Sequence, residues 1–318
     1  MSQSLPSFAR ETVLLVDGNN VSLRAFHGCA RLTDMTGFPT ACIFTTIRTI
    51  CQIAAQVMPT RTIVFWDSGH SNWRKQIHPG YKDRGEMTDE RKLELDEWKM
   101  QISALKSYLP MLGIGQIALP GCEADDLIYR VSREFVAADW DVILATTDAD
   151  FYQLLNDNLV IYHLGSESIV WPDDVLEKYG VTVSQWIDYR AMLGDKSDRI
   201  DGVAGIGPVK ARDILLQFGT LDLFFSTIEE LNPNWLDENG KKHHRVLAES
   251  KDLIERNRML MDMSRLPPYE INNEQLQEAT GNALDERLDK KAFWAVCQKH
   301  NFNTLMQESH LWQLFRTN

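Results

Sequence analysis

Three short apolar runs in this chain each end in an aspartate. Thr12-Val13-Leu14-Leu15-Val16 runs into Asp17, Arg61-Thr62-Ile63-Val64-Phe65-Trp66 into Asp67, and Asp141-Val142-Ile143-Leu144-Ala145-Thr146-Thr147 into Asp148. Runs so short and so continuously apolar suit strands buried on both faces of a parallel sheet, where nothing polar has to alternate with them. The segments at about 40–58, 92–109 and 124–138 have the apolar spacing of helices, so the fold class predicted is α/β. In open sheets of this kind ligands bind beyond the carboxyl ends of the strands, so the three aspartates are expected to converge on one rim. Gln116-Ile117-Ala118-Leu119 reads as a further strand. Pro120-Gly121 breaks it before a helix with Leu127, Ile128, Val131 and Phe135 on its apolar stripe, which brings Glu123, Asp125 and Asp126 to the same rim.

With Asp150 beside Asp148, and Asp195 and Asp198 in the loop Gly194-Asp195-Lys196-Ser197-Asp198, nine acids are candidates for this rim. At an effective dielectric of about 20, two carboxylates roughly 5 Å apart repel by about 3 kcal/mol, so crowding them needs positive charge. Any one of these acids could be a helix cap or a partner of a helix dipole. Capping explains single acids, not convergence from five segments. An oxygen-only donor set without Cys or His fits Mg²⁺ or Mn²⁺ rather than zinc. Two such ions about 4 Å apart can activate a water and stabilise a leaving oxygen, the chemistry of phosphodiester hydrolysis. The formal charge of −12 opposes a nucleic-acid partner, but discounting the nine acids leaves −3.

Two further stretches bear on phosphate binding. In Asp201-Gly202-Val203-Ala204-Gly205-Ile206-Gly207-Pro208-Val209-Lys210-Ala211, a glycine turn leads into a helix with Pro208 near its start. Exposed N–H groups at such a turn, from Gly205 and Gly207, together with Lys210, suit a phosphate held without base readout. The second stretch, Trp73 to Arg84, holds Arg74, Lys75, Tyr81, Lys82 and Arg84 ahead of an amphipathic segment from Asp89 to Tyr108. Between residues 71 and 100 seven Lys and Arg face seven acids, so this is no simple basic patch. It reads either as a solvated helix or as cations that neutralise a scissile phosphate beneath a moving helix.

As a set, LLVDGNNVSLRAFHG, GFPTACIF, FWDSG, YKDR, GCEADDLI, TTDADFYQLL and GDKSDRIDGVAGIGPVKA resemble the successive motifs of the 5′-nuclease, or flap endonuclease, family, which includes the 5′-nuclease domain of bacterial DNA polymerases. The similarity runs in order from about residue 12 to 218, with a weaker echo in Asn257-Arg258-Met259-Leu260-Met261. It implies a PIN-like nuclease core over 1–175 with a helical arch at about 70–110, a helix-three-turn-helix duplex-binding region over 176–265, and a C-terminal extension over 266–318 packing on the core. It implies a first metal site of Asp17, Asp67, Glu123, Asp125 and Asp126, and a second of Asp148, Asp150, Asp195 and Asp198. Lys82 matches the active-site cation of a Tyr-Lys-x-x-Arg motif. Arg84 is the other catalytic candidate, although YKDR is one residue short of that spacing. Arg199 stands where the family usually has Asn. Arg24, Arg74, Tyr81, Gly205, Gly207 and Lys210 are the expected DNA contacts.

The activity implied is Mg²⁺-dependent cleavage near a 5′ end at single-strand/duplex junctions, both flap-endonuclease and 5′-3′ exonuclease, during DNA replication. Two or more Mg²⁺ are expected, replaceable by Mn²⁺, with K⁺ at the helix-hairpin-helix. Branched or 5′-flapped DNA and RNA–DNA hybrid are the expected substrates, and a replisome polymerase or single-strand-binding protein the expected partner of a monomer. With no polymerase following in the sequence, the free-standing bacteriophage type is expected. One rival is a non-catalytic binder of branched DNA that keeps the fold, which missing second-site acids would favour. Another is an RNA-directed PIN nuclease, which would not need the glycine-turn region. Length and 44% hydrophobic content allow one large or two moderate domains. Five scattered cysteines without C-x-x-C fit a reducing compartment. The start MSQSLPSFARE lacks the pattern of a signal peptide, and a cytoplasmic, non-membrane location is expected, the host cytoplasm for a phage protein.

Overall fold

The computed structural model describes residues 10–69, 71–83, 85–231, 235–238 and 241–307. Its centre is a six-stranded sheet of β1 (Thr12–Asp17), β2 (Arg61–Phe65), β3 (Gly115–Ile117), β4 (Asp141–Thr146), β5 (Leu159–His163) and β6 (Ser168–Val170). The spatial order is β3-β2-β1-β4-β5-β6, parallel throughout except for the edge strand β6. β1 is central because its run is apolar on both sides. Val13 and Leu15 face one core with Ile63, Phe65, Val142 and Leu144. Leu14 and Val16 face the other with Val64, Trp66, Ile143 and Ala145. Burying each such side chain contributes about 1.5–3 kcal/mol, which is why a slip of register by one residue is not tolerated. In β5, Leu159-Val160-Ile161 continues the same two-faced pattern.

Helices cover both faces. α1 (Gly18–Gly28) and α2 (Ala41–Val57) follow β1, and α3 (Asn72–Ile77) and α4 (Asp89–Tyr108) follow β2. α5 (Ala124–Ala137) follows β3, α6 (Pro172–Tyr179) follows β6, and α7 (Trp186–Leu193) leads into a two-stranded hairpin of β7 (Gly194–Asp195) and β8 (Ile200–Asp201). α8 (Pro208–Phe218) opens the last group of helices. α4 buries only its second half, through Gln101, Ile102, Leu105 and Tyr108, while Leu93 near its start is exposed. Helix Asn273–Asp285 lies along β3: a side chain at Gly115 would meet the Ala283 carbonyl at 2.3 Å, and Arg61 Nε donates to Leu284 O. No helix among the described residues is long and apolar enough to cross a membrane.

Strand ends deliver the acids to one rim, and two close approaches fix where they sit. At Gly18 a Cβ would lie 2.6 Å from the Phe65 carbonyl, so only glycine lets β1 turn into α1 directly beside β2. Gly69 and Gly121, both at positive φ, bring the loops after β2 and β3 together through Ser68 N to Cys122 O and Gly121 N to Ser68 O.

Candidate metal centre

Each strand-end aspartate caps the helical turn that follows a strand, so the capping role is real. Asp17 Oδ1 accepts from Asn20 N, Asp67 Oδ1 from Ala124 N at 2.8 Å, and Asp148 Oδ1 from Asp150 N at 2.8 Å. Capping uses one oxygen of each. The second oxygens of two are oriented as well: Thr146 Oγ1 donates to Asp17 Oδ2, and Asn19 Nδ2 to Asp67 Oδ2.

These aspartates also face one another across a common space. Burial, followed by repulsion from Asp148 and Asp67, pushes Asp17 up to about 7 against the pull of the Asn20 N–H. Burial raises Asp125 well above the carboxylate range, with Asp148, Asp17 and Asp67 adding to it and Lys82 opposing. Among the described residues no three acids are already drawn into a chelating cluster. None of Asp17, Asp67, Asp125 or Asp148 has a salt bridge among those residues either. Asp17 and Asp125 are each repelled by Asp67 and Asp148 and by one another, and oxygen donors so placed are a set suited to a hard divalent cation.

The other five acids are arranged differently. Glu123 and Asp126 are buried, and Arg74, itself 4% exposed, takes both: Nη1 reaches Glu123 Oε2 at 3.0 Å, and Nη1 and Nη2 hold Asp126 at 2.8 and 2.6 Å. Tyr81 donates to the same Glu123 oxygen, and Arg74 Nε donates to Leu260 O, within the Asn257–Met261 echo. Arg74 and Tyr81 therefore sit inside the fold rather than on a DNA-facing surface. Asp126 has both oxygens committed to a guanidinium. Despite burial, Lys82 and Arg74 hold Glu123 below its usual range. Asp150 and Asp195 are bridged by Arg190, with Nε 2.8 Å from Asp150 Oδ1 and Nη2 2.5 Å from Asp195 Oδ2. Asp198 is raised by burial, with Lys82 opposing.

Lys82 stands between these groups. Its φ of 50° is unusual for a residue with a Cβ, and the turn is held by Lys82 N donating to Asp198 O. Nζ lies 3.3 Å from Glu123 Oε2. Burial alone would depress the ammonium, but Asp125, Glu123 and Asp198 outweigh it and keep Lys82 charged. Arg84 lies outside the described residues. Arg199 adopts φ 57°, a region asparagine tolerates better, and its guanidinium lies 3.6 Å from Asp83.

Arg24 is exposed and lines a groove of about 970 Å³ with Asn20, Gln52, Thr147 and Tyr162, beside the acids. Val203 and Ile206 anchor the glycine turn in the core while Gly205, Gly207 and Lys210 stay exposed, with Lys210 Nζ donating to Gly205 O. Pro208 is the first residue of α8, and Gly207 is its cap. Sequence reading missed Arg190, Asn19 and Thr146; the signal for Arg190 was only its place five residues before Asp195.

Residues 12–180 match the 5′-3′ exonuclease N-terminal resolvase-like domain, and residues 181–283 the 5′-3′ exonuclease C-terminal SAM fold. This chain belongs to the 5′-3′ exonuclease family. The exonuclease-family chain is 28% identical over 309 residues to thermostable DNA polymerase I of Thermus aquaticus, covering 96% of itself and 35% of that protein. It thus spans about a third of the length of the first curated relatives it matches. The 5′-3′ exonuclease of Aquifex aeolicus is 27% identical over 284 residues, covering 88% of this chain and 96% of that one. Among solved structures, bacteriophage T5 flap endonuclease in a pseudo-enzyme-product complex with DNA and metal ions has the same fold. The TM-score is 0.70 at 24% identity, over 86% of this chain and 98% of that one.

The burial of Arg74 has a measurable consequence for this family member. Arg74→Ala leaves Glu123 and Asp126 buried without their main cation, which is expected to cost about 3–5 kcal/mol of stability. Chemical denaturation of the variant checks this. A loss below about 1 kcal/mol would mean that water reaches both acids and that the pair is not a structural element.

Proposed function

We propose that this chain is a structure-specific 5′-nuclease that hydrolyses phosphodiesters at single-strand/duplex junctions, as flap endonuclease and 5′-3′ exonuclease, during DNA replication. The observation that carries the reading is the convergence of Asp17, Asp67, Asp125 and Asp148 beside the charged Lys82. Asp17, Asp67, Asp125 and Asp148 would hold a first Mg²⁺, and Asp148, Asp150, Asp195 and Asp198 a second. When bound, such ions supply an activated water and stabilise the leaving oxygen.

The protein's own groups do the rest. Thr146 and Asn19 orient the free oxygens of Asp17 and Asp67. Lys82 presents its ammonium to charge that develops on the phosphate. Glu123, Asp126 and Arg74 form a buried brace that holds Lys82 and the start of α5 in place. The Gly205–Gly207 turn and Lys210 grip duplex phosphates, with K⁺ proposed there as well, and Arg24 contacts the strand in its groove. Mn²⁺ substitution, action on RNA–DNA hybrid, a monomeric state, a cytoplasmic location and a replisome polymerase or single-strand-binding partner belong to the same proposal.

Cleavage of a labelled 5′-flap, a nicked duplex and a hybrid with a 5′ RNA segment is expected to stop in chelator, return with Mg²⁺ or Mn²⁺, and fail with Ca²⁺, whose looser geometry positions water poorly. Hydrolysis at full rate in chelator would sink the metal mechanism. Binding without cleavage of all three substrates in Mg²⁺ and Mn²⁺ would favour the non-catalytic branched-DNA binder.

A further inference from the structure

The two halves of the acidic rim differ in one respect: among the described residues Asp150 and Asp195 are salt-bridged to a cation of the protein's own, whereas Asp17, Asp67 and Asp125 are not, Lys82 standing near Asp125 without a salt bridge to it. Arg190 Nε and Nη2 both lie 2.8 Å from Asp150 Oδ1, and Nη2 lies 2.5 Å from Asp195 Oδ2. The remaining oxygen of Asp195 is engaged too, accepting from Ser197 N at 2.7 Å, Ser197 Oγ and Asp198 N. A second ion that used the inner oxygens of Asp150 and Asp195 would have to take them from the guanidinium.

Arg190 is held in this place from three sides. Trp186, one turn earlier on α7, donates from Nε1 to Ala149 O and ties the helix to the turn that carries Asp150. Gly194 N donates to the Arg190 carbonyl, which ties the same turn of helix to the hairpin that carries Asp195. Asn257 Nδ2 donates to both Ala191 O and Asp201 O, which locks α7 to β8. The side chain therefore meets both carboxylates without a choice of register, and the pair is only about one-fifth exposed, where charge interactions are stronger than at an open surface.

We propose that Arg190 is a resident counter-ion which a second divalent cation must displace from Asp150 and Asp195, so that the two cation sites load one after the other with unequal affinity. This rests on the metal-nuclease reading above. Asp17, Asp67, Asp125 and Asp148 have no salt bridge among the described residues, with Lys82 near Asp125 but bridged to Glu123, and take the first ion. The second site is weak because occupying it sets a divalent cation against a fixed guanidinium. Arg190 thereby keeps the second cluster neutralised and in shape at low cation concentration, and acts as a positioning residue rather than a reacting one.

The test is Mn²⁺ binding to the metal-free full chain, followed by the electron paramagnetic resonance signal of free Mn²⁺ at mildly alkaline pH. The wild type is expected to bind one ion tightly and one weakly. In Arg190→Gln the weak site should tighten by roughly tenfold or more, the scale of removing one charge about 5 Å from a divalent ion even at the dielectric of water, with the tight site unchanged. Arg190→Lys keeps the charge although not the two-nitrogen bridge, so its weak site should tighten clearly less than that of Arg190→Gln. If Arg190→Gln does not fold, as judged by its melting curve, Arg190→Met keeps the aliphatic stem and is expected to behave as described for Gln. An unchanged or weakened second site in the neutral variant would overturn the proposal, since Arg190 would then only shape the carboxylates. Absence of Mn²⁺ binding in wild type and variants alike would overturn the metal-nuclease reading itself, and this inference with it.

Discussion

Asp67→Asn is expected to abolish turnover while leaving 5′-flap binding, measured in Ca²⁺, near wild type. The carboxylate has two separable jobs. Oδ1 caps α5 by accepting from Ala124 N, and an amide oxygen does that equally well. Oδ2 accepts from Asn19 Nδ2, and rotation of the Asn19 amide restores that contact with an asparagine at 67. The fold at the start of α5 is thus preserved, and what disappears is the negative charge shared with Asp17 and Asp125. Loss of the proposed first cation's affinity should lower the single-turnover rate by roughly 10³-fold or more, on the scale of removing an electrostatic stabiliser from a reaction site. The duplex grip lies elsewhere, at the Gly205–Lys210 turn, so docking should survive. Asp67→Ala makes a useful contrast, because it also removes the cap and should cost a further 0.5–2 kcal/mol or so of stability. Cleavage by Asp67→Asn at near the wild-type rate would show that Asp67 is a cap and nothing more.

Lys82→Ala is expected to lower the single-turnover rate by roughly 10²-fold or more and to weaken binding far less. Burial alone would depress Lys82, but Asp125, Glu123 and Asp198 outweigh it and raise it, so the side chain is expected to act through its positive charge. Alanine retains the Cβ and leaves the bond from residue 82 N to Asp198 O available, so the strained turn should persist. Glu123 keeps Arg74 and Tyr81 as partners, so no buried acid is left alone. If the variant instead cleaves at the wild-type single-turnover rate with only a raised dissociation constant, Lys82 is a positioning contact. The catalytic cation must then be sought at Arg84 or among the metal ions.

The α/β sheet and its acidic rim were legible because they follow from local patterns. A strand covered on both faces must be apolar throughout, and β1, β2 and β4 could be read on that ground alone. Once those strands are parallel, their terminal aspartates have nowhere else to go than one edge of the sheet. Asp125 and Asp126 are adjacent on α5 and point about 100° apart, so Asp126 reaches Arg74 while Asp125 faces the other acids of the rim.

Which positive charge each acid would meet was not legible, because most such partners come from far along the chain and the near one, Arg190 five residues before Asp195, also reaches a distant acid. Arg74 pairs with Asp126 across 52 residues, and Arg190 with Asp150 across 40. In the sequence, Arg74 among aromatic residues looks the same whether it faces a phosphate or a buried carboxylate. Only packing of α3 under the Leu260 carbonyl decides for the carboxylate. The sequence by itself determined the two-faced sheet, the acids at its rim and the glycine turn, since these depend on residue type and spacing over a few positions. The tertiary structure alone decided how the nine acids divide into an open group of four, a pair braced by Arg74, a pair bridged by Arg190 and Asp198 beside Lys82. That division is set by where separate elements pack, and a buried charge is held only by the partner that packing brings within reach.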